Sequence, residues 1–327
     1  MSLLEFPPFV PHRLLRGGHA QTVAAVYLPG SRFDYQATPH FVELDDGDQI
    51  VLHEDRPEQW QPGGPVTLLV HGLGGCHGSP YMVRIASKLR AAGVRVFRMD
   101  LRGWGAGTQI AQNAFHAGRT GDIAASIAKI QQLVPESKIA LVGFSLGANM
   151  VLKLLSEVGE GTREQLAVDR ALAVAPPIDL MSCCRHLSSR VGRIYDREYT
   201  RFMWKHLLSR VDVVPDFAAA ARKQRPRGML DFDVRFTAPM GGFDSVEQYY
   251  GSASSKSHLH KITAPTTILI ADDDPIVPAR LFDDLQLAGS VAIHRTAAAR
   301  NIGYNPARNG EPDRRWLDWR VVEFATL

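Results

Sequence analysis

Residues 138–158 read K-I-A-L-V-G-F-S-L-G-A-N-M-V-L-K-L-L-S-E-V, and two patterns meet at Ser145. Before it, KIALVG is a short apolar run of the kind that forms a buried strand; after it, apolar residues recur at three- and four-residue steps, the spacing of a helix face. Gly143-Phe144-Ser145-Leu146-Gly147 is therefore a G-x-S-x-G at a strand-to-helix turn, the context a nucleophile elbow requires. The motif alone is weak, because a chain with 28 glycines will sometimes contain one by chance. The context gives it meaning. An elbow serine sits in a strained backbone conformation, and side chains at 143 and 147 would collide with the neighbouring strand and helix. The competing reading is an ordinary turn capped by a serine.

Outward from this turn, short apolar runs alternate with helical patterns from Pro65 onward, the signature of a mostly parallel sheet flanked by helices. The runs are VTLLV (66–70), VRVFRMD (94–100), KIALVG (138–143), RALAVA (170–175), TTILIAD (266–272) and VAIHRTA (291–297). Helices are expected at about 79–92, 120–134, 146–158, 278–288 and 314–325. FVELDDGDQIVLHE (41–54) reads as a hairpin turning at Asp46-Gly47, hence an antiparallel edge. The alternation lapses over about 178–262, which we take as a helical cap inserted above the carboxyl edge of the sheet. Within it Arg190, Arg193, Arg197, Arg201 and Lys205 recur at helical steps, a basic stripe that is either a solvated face or an attractor for an anionic substrate or lipid surface.

Bulk properties exclude several classes. The 327 residues carry 37 Lys and Arg against 34 Asp and Glu, a net charge of +3 that argues for no nucleic-acid partner. Residues 1–18 are broken by Pro7, Pro8 and Pro11, so neither a signal peptide nor an integral membrane segment is expected. Cys76, Cys183 and Cys184 make an odd set without metal spacing, which suggests a reducing, cytoplasmic location and no structural metal. Oligomeric state is not readable.

Two further stretches fall in order around the serine. VTLLV ends in His71-Gly72-Leu73-Gly74-Gly75, a loop suited to an oxyanion hole built from the N–H groups of Leu73 and Leu146. TTILIAD leads into Asp272-Asp273-Asp274-Pro275; adjacent side chains on an extended chain point alternately, so a shared ion is not expected. Asp274 is the preferred triad acid and Asp273 the reserve.

Taken together, the chain resembles the α/β-hydrolase superfamily over nearly its full length, and within it the YheT-like branch. The resemblance is carried by GGHAQT (17–22), HGLGG (71–75), DLRGWG (100–105), FHAGRTGDI (115–123), GFSLGANMVLKLL (143–155), APPIDL (175–180), GFDSVEQYYGSAS (242–254) and Asp273-Asp274-Pro275. It implies a single α/β-hydrolase domain over 1–327, with an N-terminal extension over 1–40. It also implies a cofactor-independent serine esterase acting on short- or medium-chain acyl esters.

One position departs from the pattern. The branch places a histidine just before an aliphatic residue, glycine and an aromatic; here Ile302-Gly303-Tyr304 follows Asn301. An amide has no basic nitrogen, so Asn301 cannot take the Ser145 proton, although it can hydrogen-bond Asp274. Hydrolases that lose one triad member keep only about 10³–10⁴ over the reaction in water. His294, seven residues earlier in a strand, is about 23 Å away along an extended chain. His71 and His116, on loops expected near the site, are the candidate substitutes. Three functions follow: a slow serine esterase with an acyl-enzyme at Ser145, a catalytically silent pocket that binds an acyl ligand, and an acyltransferase.

Overall fold

The computed structural model describes residues 6–10, 37–297, 312–313 and 315–327. Eight strands form one sheet: β1 Thr38–Glu43, β2 Gln49–Asp55, β3 Val66–Val70, β4 Arg95–Asp100, β5 Ile139–Phe144, β6 Val168–Val174, β7 Thr266–Ala271 and β8 Val291–Thr296. Their order is β1-β2-β4-β3-β5-β6-β7-β8. The β1–β2 hairpin and its junction with β4 are antiparallel; every pairing from β4 to β8 is parallel. Central strands such as β3, β5 and β7 are buried at every residue, which is why they read as continuous apolar runs rather than alternating ones; β4 is equally buried but carries Arg95, Arg98 and Asp100.

Helices cover both faces. On one lie α1 (Pro80–Ala91) and α9 (Trp316–Thr326), whose Met82, Ile85, Leu89, Trp316 and Val321 pack on Leu69, Val142 and Leu269. On the other lie α2 (Thr120–Leu133) and α3 (Leu146–Glu160), packed on Leu68, Leu141 and Ala171. Between β6 and β7 run α4 (Leu180–Leu187), α5 (Arg193–Ser209), α6 (Pro215–Lys223), α7 (Met229–Phe232) and α8 (Val246–Ala253). A π-helical turn, Asp233–Thr237, continues α7.

The helix expected at 278–288 does not form. A single 3₁₀ turn, Ala279–Phe282, is followed by an extended Asp283 and a left-handed Asp284 with φ 55°. Adjacent aspartates are poor helix formers, and Arg295 of β8 holds Asp283 at 2.9 Å. Ile276, Val277, Leu281 and Phe282 are all buried without a helical turn to align them.

Candidate active site

Ser145 links β5 to α3 with φ 50° and ψ −120°, a conformation that a β-carbon disfavours. Its N–H donates to the Val174 carbonyl of β6 at 2.8 Å, which pins the turn to the sheet. The flanking glycines are required by close packing. A β-carbon at Gly147 would lie 2.3 Å from the His71 carbonyl oxygen, and one at Gly143 would lie 2.6 Å from the Ala148 Cα. The Ser145 hydroxyl makes no hydrogen bond among the described residues.

The His71–Gly75 loop runs directly past this serine, since a β-carbon on Gly72 would be 3.0 Å from the Ser145 Cβ and 3.7 Å from its Oγ. Leu73 and Leu146 line the same cavity as Ser145. Neither of their N–H groups is engaged by another group of the described residues. Two idle donors beside a hydroxyl are what a developing oxyanion needs. The loop is anchored from behind: the Gly72 N–H donates to the Tyr81 hydroxyl at 3.2 Å, and the His77 N–H to Asp100 at 2.7 Å.

His71 and His116 are both accounted for. His71 is fully buried; its Nδ1 is 2.8 Å from the Gly72 carbonyl, and its Nε2 accepts the Leu101 N–H at 3.1 Å. Both ring nitrogens are thus occupied by the backbone, and burial lowers the pKa. His116 Nδ1 accepts the Gly118 N–H at 3.2 Å, and its ring meets Phe243 and Tyr249 edge-on. Burial, reinforced by Arg119 and Arg102, lowers it to about 4. Neither ring lines the Ser145 cavity. His294 packs against Phe6 and Trp316. Asn301 and the 17–22 segment lie outside the described residues.

Asp274 follows β7 and is buried, its Oδ1 accepting the N–H groups of Ile276 at 2.8 Å and Val277 at 3.1 Å. Burial first and the charge of Asp274 next raise the Tyr199 hydroxyl, and the Cys183 thiol is raised by burial, Asp179 and Asp274. Both groups line the cavity, so Asp274 adjoins it. Asp273 is half-buried, while Asp272 is exposed and paired with Arg295 at 3.0 Å. The three carboxylates therefore diverge.

Residues without a sequence signal complete the site. Tyr199 and Met203 of α5, Met229 of α7 and Tyr250 of α8 close an apolar cavity of about 100 Å³ over Ser145. Asp233 faces it from the π turn, held by the hydroxyls of Thr237 and Tyr250, both at 2.5 Å. Its carboxyl is pushed up to about 6 by burial, against the two hydrogen bonds. His186 on α4 keeps a buried Nε2 with no hydrogen-bond partner among the described residues, and its pKa is lowered by burial and Arg280 while a bond to the Pro275 backbone opposes this.

Among the described residues one group has metal-ligand geometry: His53, His77 and Asp100, with ligand atoms within 4.8 Å of one another. Its carboxylate already accepts from both imidazoles, at 3.2 and 2.6 Å, and from the N–H groups of His77 and Ala106. Burial would raise Asp100, but these hydrogen bonds outweigh it and hold the carboxyl well below its usual range. The cluster ties the segment that follows the His71–Gly75 loop to β4 through His77 and Asp100.

The family profile described as alpha/beta hydrolase fold matches residues 65–288. A protein of Escherichia coli (strain K12) called YheT, to which esterase activity is ascribed, is 27% identical over 324 residues, 97% of this chain and 93% of that one. A monoacylglycerol lipase of Saccharomyces cerevisiae is 27% identical over 273 residues, 80% of this chain and 59% of that protein. Among solved structures, the Pyrococcus furiosus esterase Pf2001 superposes with a TM-score of 0.57 over 98% of both chains at 15% identity.

Proposed function

Since the chain belongs to the α/β-hydrolase fold family, in its YheT-like branch, and is a hydrolase, we propose that it cleaves carboxylic esters of short- or medium-chain acids through an acyl-enzyme at Ser145. The observation that carries this is Ser145 itself. A positive-φ serine at the end of a parallel strand opens into an apolar cavity between two unengaged N–H groups.

In this reading Ser145 Oγ attacks the ester carbonyl carbon, and the new oxyanion is received by the N–H groups of Leu73 and Leu146. The acyl chain occupies the cavity under α5 and α7, which excludes water from it. Asp274 orients the third member of the triad. With Asn301 in that position, loss of the Ser145 proton falls to water, and turnover is slow. The names of the E. coli and yeast relatives support ester hydrolysis. Asn301 favours a second reading, a silent pocket that binds an acyl ligand without cleaving it.

A fluorophosphonate probe with p-nitrophenyl acetate and butyrate separates the two. The proposal expects labelling and slow turnover that both vanish in Ser145→Ala, and a rise of about 10²–10⁴ in turnover on Asn301→His. A wild-type protein that neither labels nor turns over, and stays inert as Asn301→His, would contradict it.

A further inference from the structure

Helix α5 has two unlike faces. Tyr199 and Met203 look inward onto the Ser145 cavity, whereas Arg193, Arg197, Arg201 and Lys205 project from the opposite side and are exposed. Arg190 extends the stripe from the preceding turn. Beside it, a surface depression of about 590 Å³ is lined by Arg197, Arg201, Arg225 and Arg227, with Glu198 as its single acid.

Solvated basic faces usually carry acidic partners at helical spacing. Here none of the side-chain cations of Arg190, Arg193, Arg197, Arg201, Lys205, Arg225 and Arg227 has a carboxylate partner among the described residues, although the Arg227 backbone N–H donates to Asp231. Residues 185–227 hold eleven Lys or Arg against four Asp or Glu, in a chain whose total is only +3, so the remainder is net acidic. The positive charge is concentrated on the cap. Large apolar side chains stand among these cations: Val191 is 53% exposed, Ile194 66% and Phe202 42%. Phe202 also reaches the catalytic loop, since a β-carbon on Gly74 would be 2.7 Å from its ring, which stacks on Trp104 at 5.5 Å.

Cations interleaved with exposed apolar side chains on one helix face are the chemistry of an interfacial helix on anionic headgroups. We propose that the outer face of α5 and the adjoining four-arginine depression dock this protein onto an anionic lipid surface. The arginines engage headgroup phosphates there, and Val191, Ile194 and Phe202 enter the acyl boundary. The inner face of the same helix then holds the acyl cavity directly behind the membrane contact. Docking is independent of whether Ser145 turns an ester over.

The test is flotation of the full chain with vesicles of phosphatidylcholine alone and of phosphatidylcholine with phosphatidylglycerol, at low and high salt. Partition is expected only on the anionic vesicles, weakened by salt and unchanged in Ser145→Ala, so that failure of the esterase reading leaves this result standing. At about fivefold per cation, the variant Arg197→Gln/Arg201→Gln/Arg225→Gln/Arg227→Gln should lose at least about a hundredfold in partition while melting like the wild type. Ile194→Ser removes the apolar contribution without changing the charge of the face and should also weaken binding. Equal partition on both vesicle types, no partition on either, or full partition of the quadruple variant overturns the proposal. So does binding of duplex DNA, or dimer formation through this face, in place of vesicle binding.

Discussion

Replacing Ser145 by glycine should stabilise the protein relative to Ser145→Ala, although both variants lack the reactive hydroxyl. At φ 50° and ψ −120° the Ser145 β-carbon is held in a sparsely populated region, at a cost of about 1–3 kcal/mol. Alanine retains that β-carbon and the strain. Glycine releases it but returns about 0.4–1 kcal/mol as extra freedom of the unfolded chain. The balance favours glycine by about 1.3 kcal/mol at mid-range and by at most about 2.6 kcal/mol. With an unfolding entropy of about 2.1 cal/mol/K per residue, the mid-range value is a melting temperature about 2 K higher for the glycine variant. Differential scanning calorimetry resolves that difference, and a fluorophosphonate probe should label neither variant. A glycine variant that melts at or below the alanine one would mean that Ser145 is unstrained, and the elbow would lose its main physical support.

Other perturbations test the surrounding frame. Gly147→Ala would place a β-carbon 2.3 Å from the His71 carbonyl oxygen and 2.8 Å from that of Val70; overpacking of this kind costs about 1–3 kcal/mol or more, so melting should fall and Ser145 labelling should disappear. Asp100→Asn removes the charge that holds His53, the His77 ring and the His77 N–H, and should cost about 3–5 kcal/mol in a denaturant melt. Because the folded Asp100 titrates below its unfolded value, its contribution is full above about pH 5 and is lost as pH falls further; a wild-type-minus-Asn difference that does not shrink in acid would disprove the assignment. His116→Gln and His186→Gln should each change ester turnover by less than about tenfold, whereas loss of a general base costs about 10²–10⁴. A larger fall in either, with an acidic limb near pH 4 in the case of His116, would identify the substitute base.

Much of the fold was legible because parallel strands buried on both faces leave unbroken apolar runs, as in Leu68–Val70, Leu141–Val142 and Ile268–Ile270. The exception at 278–288 shows the limit. Ile276 and Val277 just before it and Leu281 and Phe282 within it join the core individually, not along a shared helix face. Burial alone could not distinguish the two.

For the site, the local sequence determined the elbow: G-x-S-x-G between a strand and a helix forces a positive φ at Ser145 and a close approach at Gly147, both of which depend on residues a few positions apart. The order of the 71–75 stretch and Asp274 along the chain likewise predicted that they would follow β3 and β7, where the structure has them. Only the tertiary structure decided what surrounds them. His71 is consumed by the Gly72 carbonyl and the Leu101 N–H, and His116 is turned into an aromatic cluster. The cavity is closed by Tyr199, Met203, Met229 and Tyr250 from helices between β6 and β7. The roles of these groups depend on partners tens to more than a hundred residues away, and local spacing carries no record of such contacts.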